Sequence, residues 1–335
     1  MTMTRRLGAA LALLTLPAAA AAAAPLTVYA AMGYDQSVVR AFTRATGIPV
    51  ELVHLSTGPL LARVQAEGAH AQWDVLWFDG NLAMRSFAMQ HRLACGWAPA
   101  VRYTAQGRAL VPADHCWAPV GVTYAGALLV NTARVAAAAQ PRSWADLESP
   151  ALRGRVGMDN PSISGPTYPW VAGVLQDLGV ARGQQYFEAL KANGLRVYPT
   201  NSVTLRALQF GQIDVAVVQS SAALGFARGK RGLRVVMPPP STALPSDLAI
   251  GAQVRGDRLA VARRFVEFVL SVPGQQALQH GDPAADSNDT PLLAGVSPLP
   301  AAAALQAQRT QVLDPAVWGP REGAIDAWFT AHVVR

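Results

Sequence analysis

Apolar residues near the start of the chain alternate between short β-rich runs and stretches with helical spacing. The run LTVYA at Leu26–Ala30 predicts a strand, and apolar residues recur at helical spacing within residues 36–46. Further strands are predicted at Val50–Leu55 and Trp73–Phe78, each followed by a helical stretch. This βαβαβα order favours a parallel sheet with helices on both faces.

The same alternation returns after residue 155 and predicts a second α/β block. Extended runs near Gly121–Val130 and Ala243–Val254 are the candidate crossings between the blocks. Because two crossings take the chain out of one lobe and back into it, we expect two lobes that face each other across a cleft and close by hinge motion.

These crossings predict a discontinuous first lobe. The predicted domains are a first lobe of residues 25–122 and 248–300, a second lobe of residues 123–247, and a C-terminal helical tail of residues 301–335.

The first 24 residues have the pattern of a secretory signal peptide. Arg5 and Arg6 precede the apolar run Leu7–Leu16, and an alanine run extends to Ala24. General secretion is favoured over a twin-arginine route, because the residues that flank the arginine pair give that route little support. We therefore expect a protein exported to the periplasm.

Composition excludes several classes of protein. Hydrophobic residues make up 51% of the 335 residues and charged residues 15%, so a disordered chain is excluded. The formal charge is +7, and removing two signal-peptide arginines from the 28 basic residues leaves 26 − 21 = +5. This weak excess has no Lys/Arg runs and implies no nucleic-acid partner. Cys95 and Cys116 are the two cysteines, and export favours one disulfide over two buried free thiols.

Four stretches of the mature chain carry a family resemblance: LTVYAA, STGPLLARVQAE, ADLESPALRGRVGMDNPSISGPTYPWVAGVLQDLG and RRFVEFVLSVPGQQAL. In these stretches the chain resembles the periplasmic substrate-binding proteins of ABC importers. The similarity is closest to the branch of ferric-iron, phosphonate, sugar-phosphate, polyamine and thiamine binders. The resemblance implies the two-lobed type II periplasmic binding fold, of the α/β class. It also implies a solute held in the cleft and handed to a membrane permease.

Small polar residues follow the predicted strands and begin the next helices. Ligands of open α/β sheets bind beyond the carboxyl ends of the strands, and a helix start favours an anion. Plain N-capping is the alternative for such hydroxyls. The candidate ligand-binding residues are Tyr34, Ser56, Thr57, Gly58, Asp79, Asp159, Ser164, Gly165, Thr167, Ser202, Ser220 and Ser221. In this set either Asp79 or Asp159 is expected to pair with an amine of the solute. Tyr34 is expected either to line the cleft or to lie in the core or at the rim.

Ferric iron is the alternative ligand. Iron-binding members of the resembled family carry adjacent tyrosines near the turn that Ser220 and Ser221 occupy here, and this chain has no adjacent tyrosine pair. Tyr34, Tyr124 and Tyr168 keep the iron alternative open.

Enzyme motifs are missing from the sequence. No G-x-S-x-G, H-E-x-x-H or Walker P-loop occurs, and the six histidines form no metal-spaced pair. We therefore expect no catalytic residue, resident metal or cofactor, and a periplasmic hydrolase is the least favoured function. The sequence predicts a monomeric binding protein for 2-aminoethylphosphonate, another phosphonate or a phosphate ester.

Overall fold

The structure is a computed structural model, and it describes residues 25–305 and 309–335. The predicted signal peptide, residues 1–24, lies outside the described residues. The strands are β1 (Leu26–Ala30), β2 (Val50–His54), β3 (Val75–Asp79), β4 (Ala118–Ala125), β5 (Ala127–Asn131), β6 (Val156–Asp159), β7 (Arg196–Tyr198), β8 (Val215–Val218), β9 (Leu233–Val236), β10 (Ser241–Ile250), β11 (Thr290–Pro291) and β12 (Thr310–Gln311).

Helices connect and flank these strands. They are α1 (Asp35–Thr46), α2 (Thr57–Glu67), α3 (Asn81–Met89), α4 (Ala105–Leu110), α5 (Thr167–Leu178), α6 (Val180–Ala192), α7 (Asn201–Gln209), α8 (Ser220–Ala227), α9 (Gly256–Val269), α10 (Val272–Gly281), α11 (Pro300–Ala304), α12 (Pro315–Trp318) and α13 (Glu322–Phe329).

The strands form two sheets, as the two predicted α/β blocks require. The first sheet has the order β11-β4-β10-β3-β1-β2, with β12 beside β10, and the second has the order β7-β6-β8-β5-β9. β1 pairs in parallel with β2 and β3, and β6 pairs in parallel with β7 and β8. β1 and β3 are buried along their whole length, because helices cover both faces of this part of the sheet.

The first crossing between the sheets lies at Gly126. This residue separates β4 from β5 and has a φ of +77°, in the left-handed region that favours glycine. A Cβ atom here would also lie 2.1 Å from the Trp170 ring. The extended run expected over 121–130 is therefore two strands in two different sheets.

The second crossing lies in residues 237–240, between β9 and β10. Residues 241–247 and 123–125, which the sequence analysis assigns to the second lobe, pair within the first sheet. The strands β4 and β10 run side by side as antiparallel neighbours, from the Thr242–Ala125 pair to the Leu248–Ala118 pair.

The C-terminal segment packs on the second lobe. Phe329 is fully buried, and its ring centroid lies 5.4 Å from that of Phe187. The Tyr168 hydroxyl donates a hydrogen bond of 2.6 Å to the carbonyl of Trp318.

A disulfide joins Cys95 to Cys116, so these two residues are not free thiols. Within residues 25–305 and 309–335, no helix is both long and apolar enough to cross a membrane.

Candidate functional site

A cavity of about 460 Å³ lies between the two lobes. It is bordered by the residues that follow β2, β3, β6, β7 and β8, all at the carboxyl ends of parallel strands. Six of the predicted site residues border it: Ser56, Thr57, Asp79, Ser164, Gly165 and Ser202. The cavity therefore joins predicted residues from both lobes.

A larger cavity of about 570 Å³ lies away from these residues, lined mostly by the second lobe and also by Thr242 and Gln311 of the first sheet. Trp144, Trp170 and Tyr186 line much of it, and no predicted site residue borders it. The cavity between the lobes is therefore the candidate site.

Ser56 stands at the start of α2 without capping it. Its side chain makes no capping hydrogen bond to the helix, whereas Thr104 and Ser271 cap α4 and α10 through their hydroxyls. Because the Ser56 hydroxyl is not engaged in capping and borders the cavity, it is available to a ligand. The plain N-capping alternative does not apply to this residue.

Helix α7 presents a similar start from the second lobe. Its N-cap residue Thr200 makes no side-chain capping bond, and the Thr200 and Ser202 hydroxyls lie 3.1 Å apart. Arg206, one turn further along α7, borders the cavity and makes no ion pair within the described part of the chain. Exposed helix N–H groups, two hydroxyls and a guanidinium together favour an anion at this end of the cavity.

The lobes contact each other beside these helix starts. The Gly58 N–H donates a hydrogen bond of 3.0 Å to the Ile163 carbonyl of the other lobe. Thr57 is buried against Gly165, where a Cβ atom would lie 2.5 Å from Thr57 Oγ1. The two lobes are therefore closed around one edge of the cavity.

Acidic residues gather on the opposite side of the cavity. Asp79, Asp282 and Asp286 border it, and Asp247 and Asp289 are buried near Asp79. Burial raises the pKa of Asp79 well above its ordinary range, and the nearby carboxylates of Asp289, Asp286 and Asp247 raise it further. Burial likewise raises the pKa of Asp286 to about 6. This side of the cavity would be stabilised by a positive charge.

His54 also borders the cavity, and a hydrogen bond to a buried carboxylate fixes the orientation of its ring. Its Nδ1 lies 2.6 Å from Oδ2 of Asp35, which is 1% exposed. This hydrogen bond raises the pKa of His54 above its ordinary value, although partial burial opposes the shift. Because Nδ1 is engaged with Asp35, Nε2 is the ring nitrogen left for a ligand.

Two predicted site residues have structural roles instead. Tyr34 is fully buried, with its hydroxyl 3.3 Å from Asp289 Oδ2, so it does not wall the cleft. Asp159 is 1% exposed and accepts hydrogen bonds from the Ser164 and Thr204 hydroxyls, so it holds the second-lobe loops together and does not border the cavity.

Four further predicted residues do not border the cavity: Gly58, Thr167, Ser220 and Ser221. Ser220 and Ser221 both contact Thr123 of β4: the Thr123 and Ser220 hydroxyls lie 2.7 Å apart, and the Ser221 N–H donates to Thr123 Oγ1 over 3.0 Å. These contacts hold α8 against β4, the strand that directly precedes the first crossing between the sheets.

The candidate residues that sequence reasoning missed include His54, Asp282 and Asp286. His54 is the last polar residue of the predicted strand Val50–Leu55, close to the strand-end position shared by other site residues, and this signal could have found it. Asp282 and Asp286 lie in a segment rich in Pro, Asp and Ser that has no periodic pattern, and nothing in their spacing links them to the cleft.

The cavity offers a poor set of ligands for ferric iron. No tyrosine borders it, and no group of three or more His, Cys, Asp or Glu residues among the described ones is arranged to hold a metal ion.

Two α/β lobes, two crossing strands and a polar cavity between the lobes define a type II periplasmic binding protein. The chain belongs to the bacterial extracellular solute-binding protein family, whose model matches residues 26–281. It is accordingly a substrate-binding protein of the ABC importer class.

Three known proteins illustrate the similarity. The major ferric iron-binding protein of Neisseria meningitidis serogroup B is 27% identical over 271 residues, which is 78% of this chain and 81% of that protein. The structure of AfuA from Actinobacillus pleuropneumoniae with fructose-6-phosphate bound has a TM-score of 0.80 and 19% identity, covering 92% of this chain and 98% of that one. Iron-bound HitA from Pseudomonas aeruginosa has a TM-score of 0.73 and 22% identity, covering 90% and 98%. At these identities the two structures support the fold alone.

Proposed function

We propose that this protein captures a small organic solute bearing an oxyanion in the cavity between its lobes and delivers it to the permease of an ABC importer. A phosphonate such as 2-aminoethylphosphonate, or a phosphate ester, is the favoured solute. The protein would act in the periplasm as a monomer after removal of residues 1–24, and it would release the solute chemically unchanged.

One observation carries the choice of an oxyanion. The Ser56 hydroxyl and the Thr200–Ser202 pair stand at two helix starts without capping them, and Arg206 lies beside the second start with no ion pair among the described residues. Helix N-termini bind anions through free N–H groups and the helix dipole, and a guanidinium matches a phosphoryl group through paired donors.

One of the similar structures is consistent with this choice. AfuA was solved with fructose-6-phosphate, which is a solute of the proposed class.

Calorimetry with a panel of solutes tests the proposal. The panel contains 2-aminoethylphosphonate, ethylphosphonate, a sugar phosphate, thiamine, a polyamine and ferric citrate. Phosphonates or phosphate esters are expected to bind most tightly, and thermal stabilisation without turnover of the solute would separate a binding protein from a hydrolase.

Substitution of the hydroxyls refines the same test. Ser56→Ala and Ser202→Ala are each expected to weaken binding about tenfold or more, because each removes a hydrogen bond to a charged oxygen. Ser297→Ala is the control, since Ser297 is exposed and lies outside the cavity. Equal affinities in all three variants would contradict the assigned anion site.

Ferric iron is the second candidate, because the similar Neisseria protein is named as a ferric iron-binding protein. His54, Asp79 and Asp286 are the nearest equivalents of hard ligands in the cavity. Tight binding of iron with no response to phosphonates would replace the first proposal with this one.

A further inference from the structure

Three residues that border the cavity have a buried side-chain oxygen without a hydrogen-bond donor among the described residues, namely Asp79, Asn201 and Gln219. Two of these residues are more than nine-tenths buried: Asp79, whose Oδ1 lacks a donor, is 6% exposed, and Gln219, whose Oε1 lacks one, is 2% exposed. Both residues border the same cavity, Asp79 at the end of β3 in the first lobe and Gln219 directly after β8 in the second. A buried acceptor without a donor costs free energy, so two at one cavity call for a donor that the chain itself does not provide.

The orientation of the Gln219 amide is fixed by its neighbours. Its Nε2 donates hydrogen bonds of 2.8 Å to Ser221 Oγ and to Asp286 Oδ1. Turning the amide over would place its oxygen against the Asp286 carboxylate and lose that hydrogen bond. The free group of Gln219 is therefore an acceptor.

The surroundings of Asp79 determine the charge of the missing donor. The carboxylates of Asp289, Asp286 and Asp247 surround it, and the Tyr34 hydroxyl lies within the same group. None of the described ion pairs gives any of these four aspartates a cationic partner. A neutral donor would satisfy the hydrogen bond alone, whereas a protonated amine supplies the donor and also stabilises the ionised form of these clustered carboxyls.

We propose that the solute must carry a protonated amine, which donates to Asp79 in one lobe and Gln219 in the other and so joins the lobes around it. The inference rests on the proposed function for the anionic end of the solute and adds the recognition of its cationic end. It names aminoalkylphosphonates and amine-bearing phosphate esters as the solute class. Because the amine contacts both lobes, it also favours the closed state of the protein.

Three probes separate this inference from the proposed function. 2-Aminoethylphosphonate carries both charges, ethylphosphonate carries only the anion, and ethanolamine carries only the amine. Calorimetry on the wild-type protein is expected to give 2-aminoethylphosphonate an affinity about 10- to 100-fold higher than that of ethylphosphonate. Equal affinities would overturn the amine inference and leave the anion proposal standing. Binding of ethanolamine with no binding of either phosphonate would overturn the anion proposal and leave the amine inference standing. Binding of none of the three probes would overturn both the anion proposal and the amine inference.

Variants assign the preference to the two acceptors. In Asp79→Asn and in Gln219→Leu, the affinities for 2-aminoethylphosphonate and ethylphosphonate are expected to lie within about threefold of each other. Asp159→Asn is the matched control, because Asp159 ends the corresponding strand β6 and both of its oxygens already accept hydrogen bonds. Loss of the preference in the control, and not in the other two variants, would move the amine to Asp159 and overturn the assignment.

Proton release gives a readout that a purely structural role would not alter. Burial and the neighbouring acids raise the pKa of Asp79, and a bound ammonium would lower it again, so binding of the amine should favour release of a proton from this carboxyl. Calorimetry in two buffers of different ionisation enthalpy is expected to detect proton release with 2-aminoethylphosphonate, less with ethylphosphonate, and no such difference in Asp79→Asn. An equal release with both phosphonates in the wild-type protein would count against Asp79 as the partner of the amine.

Discussion

Asp79 and Asp159 are chemically the same residue at equivalent strand ends, and their surroundings give them different roles. Asp159 accepts hydrogen bonds from two hydroxyls on its own lobe, whereas Asp79 keeps one buried oxygen without a donor. A carboxyl whose oxygens both accept hydrogen bonds stabilises the loops around it. A carboxyl with an oxygen that lacks a donor remains able to accept a hydrogen bond from a ligand. The number of local donors therefore distinguishes a structural aspartate from a binding one.

At the same scale, Asp159 predicts a dependence of stability on pH. Burial raises its pKa to about 7 from an ordinary value of 3.8. Between these values the folded protein keeps a proton that the unfolded chain has lost, so this contribution to stability is full at low pH and is lost as the pH rises through about 7. In Asp159→Asn the fall in unfolding free energy from pH 5 to pH 8 should be smaller by roughly 2–3 kcal/mol.

Urea unfolding at these two pH values measures the difference. Asp79, Asp247, Asp286 and Asp289 also have raised pKa values and contribute to the total slope, so the comparison is between variant and wild type. The variant Asp257→Asn changes an exposed aspartate and should keep the wild-type slope. An unchanged slope in Asp159→Asn would show that this carboxyl is ionised in the folded protein.

Among the elements, the C-terminal helix α13 depends on its apolar side. Ile325 and Phe329 are buried in the core of the second lobe, and Phe329 meets Phe187 edge to face at an interplanar angle of 69°. A helix of 8 residues has little stability of its own, so this packing holds it in place.

Phe329→Ala should lower the free energy of unfolding by about 3–5 kcal/mol, because it leaves a cavity in a fully packed core. Trp328→Ala removes a neighbouring, only partly buried ring and should cost clearly less. Thermal and urea unfolding of both variants give the comparison. Similar losses in the two variants would contradict the view that α13 is anchored through Phe329.

Sequence patterns predicted the elements well and their contacts less well. Ser56, Asp79, Ser164 and Ser202 could be placed at the cleft because hydrophobic runs mark strand ends and parallel strands bring those ends together. The direction of a side chain depends on tertiary packing, which is why Tyr34 lies in the core. Hydrogen-bond partners distant in sequence were equally beyond reach, as with Thr123 and Ser220.

Composition was a poor guide to the charge of the site. The chain has 21 acidic residues in 335, fewer than its 28 basic residues. The fold nevertheless concentrates Asp79, Asp282 and Asp286 at one cavity. Asp282 and Asp286 lie in the segment after α10, and the packing of that segment against α8 brings them to the cleft.

For the whole molecule, the closed arrangement depends on the small size of Gly58. Its N–H donates to Ile163 across the cleft, and a Cβ atom on it would lie 2.2 Å from the Ser162 carbonyl oxygen. The backbone of the second lobe would have to move away to accommodate any side chain there.

Gly58→Ala should therefore hold the lobes apart and weaken binding of 2-aminoethylphosphonate about tenfold or more, because the closed state becomes less populated. Calorimetry measures the affinity, and small-angle scattering with saturating solute should give a larger radius of gyration than for the wild-type protein. Gly323→Ala is the control, since a Cβ atom there has no neighbour within 4 Å. Wild-type affinity in Gly58→Ala would mean that the solute does not require this contact.

The two crossing strands determine how such an opening can take place. β4 and β10 are hydrogen-bonded neighbours from Thr242–Ala125 to Leu248–Ala118, so the two connections leave the first sheet as one ribbon. A two-stranded ribbon bends across its flat face more easily than its strands slide past each other, because sliding breaks the ladder of hydrogen bonds. The lobes should therefore move relative to each other mainly along one coordinate. This limits the orientational entropy that the lobes lose when they close around a solute.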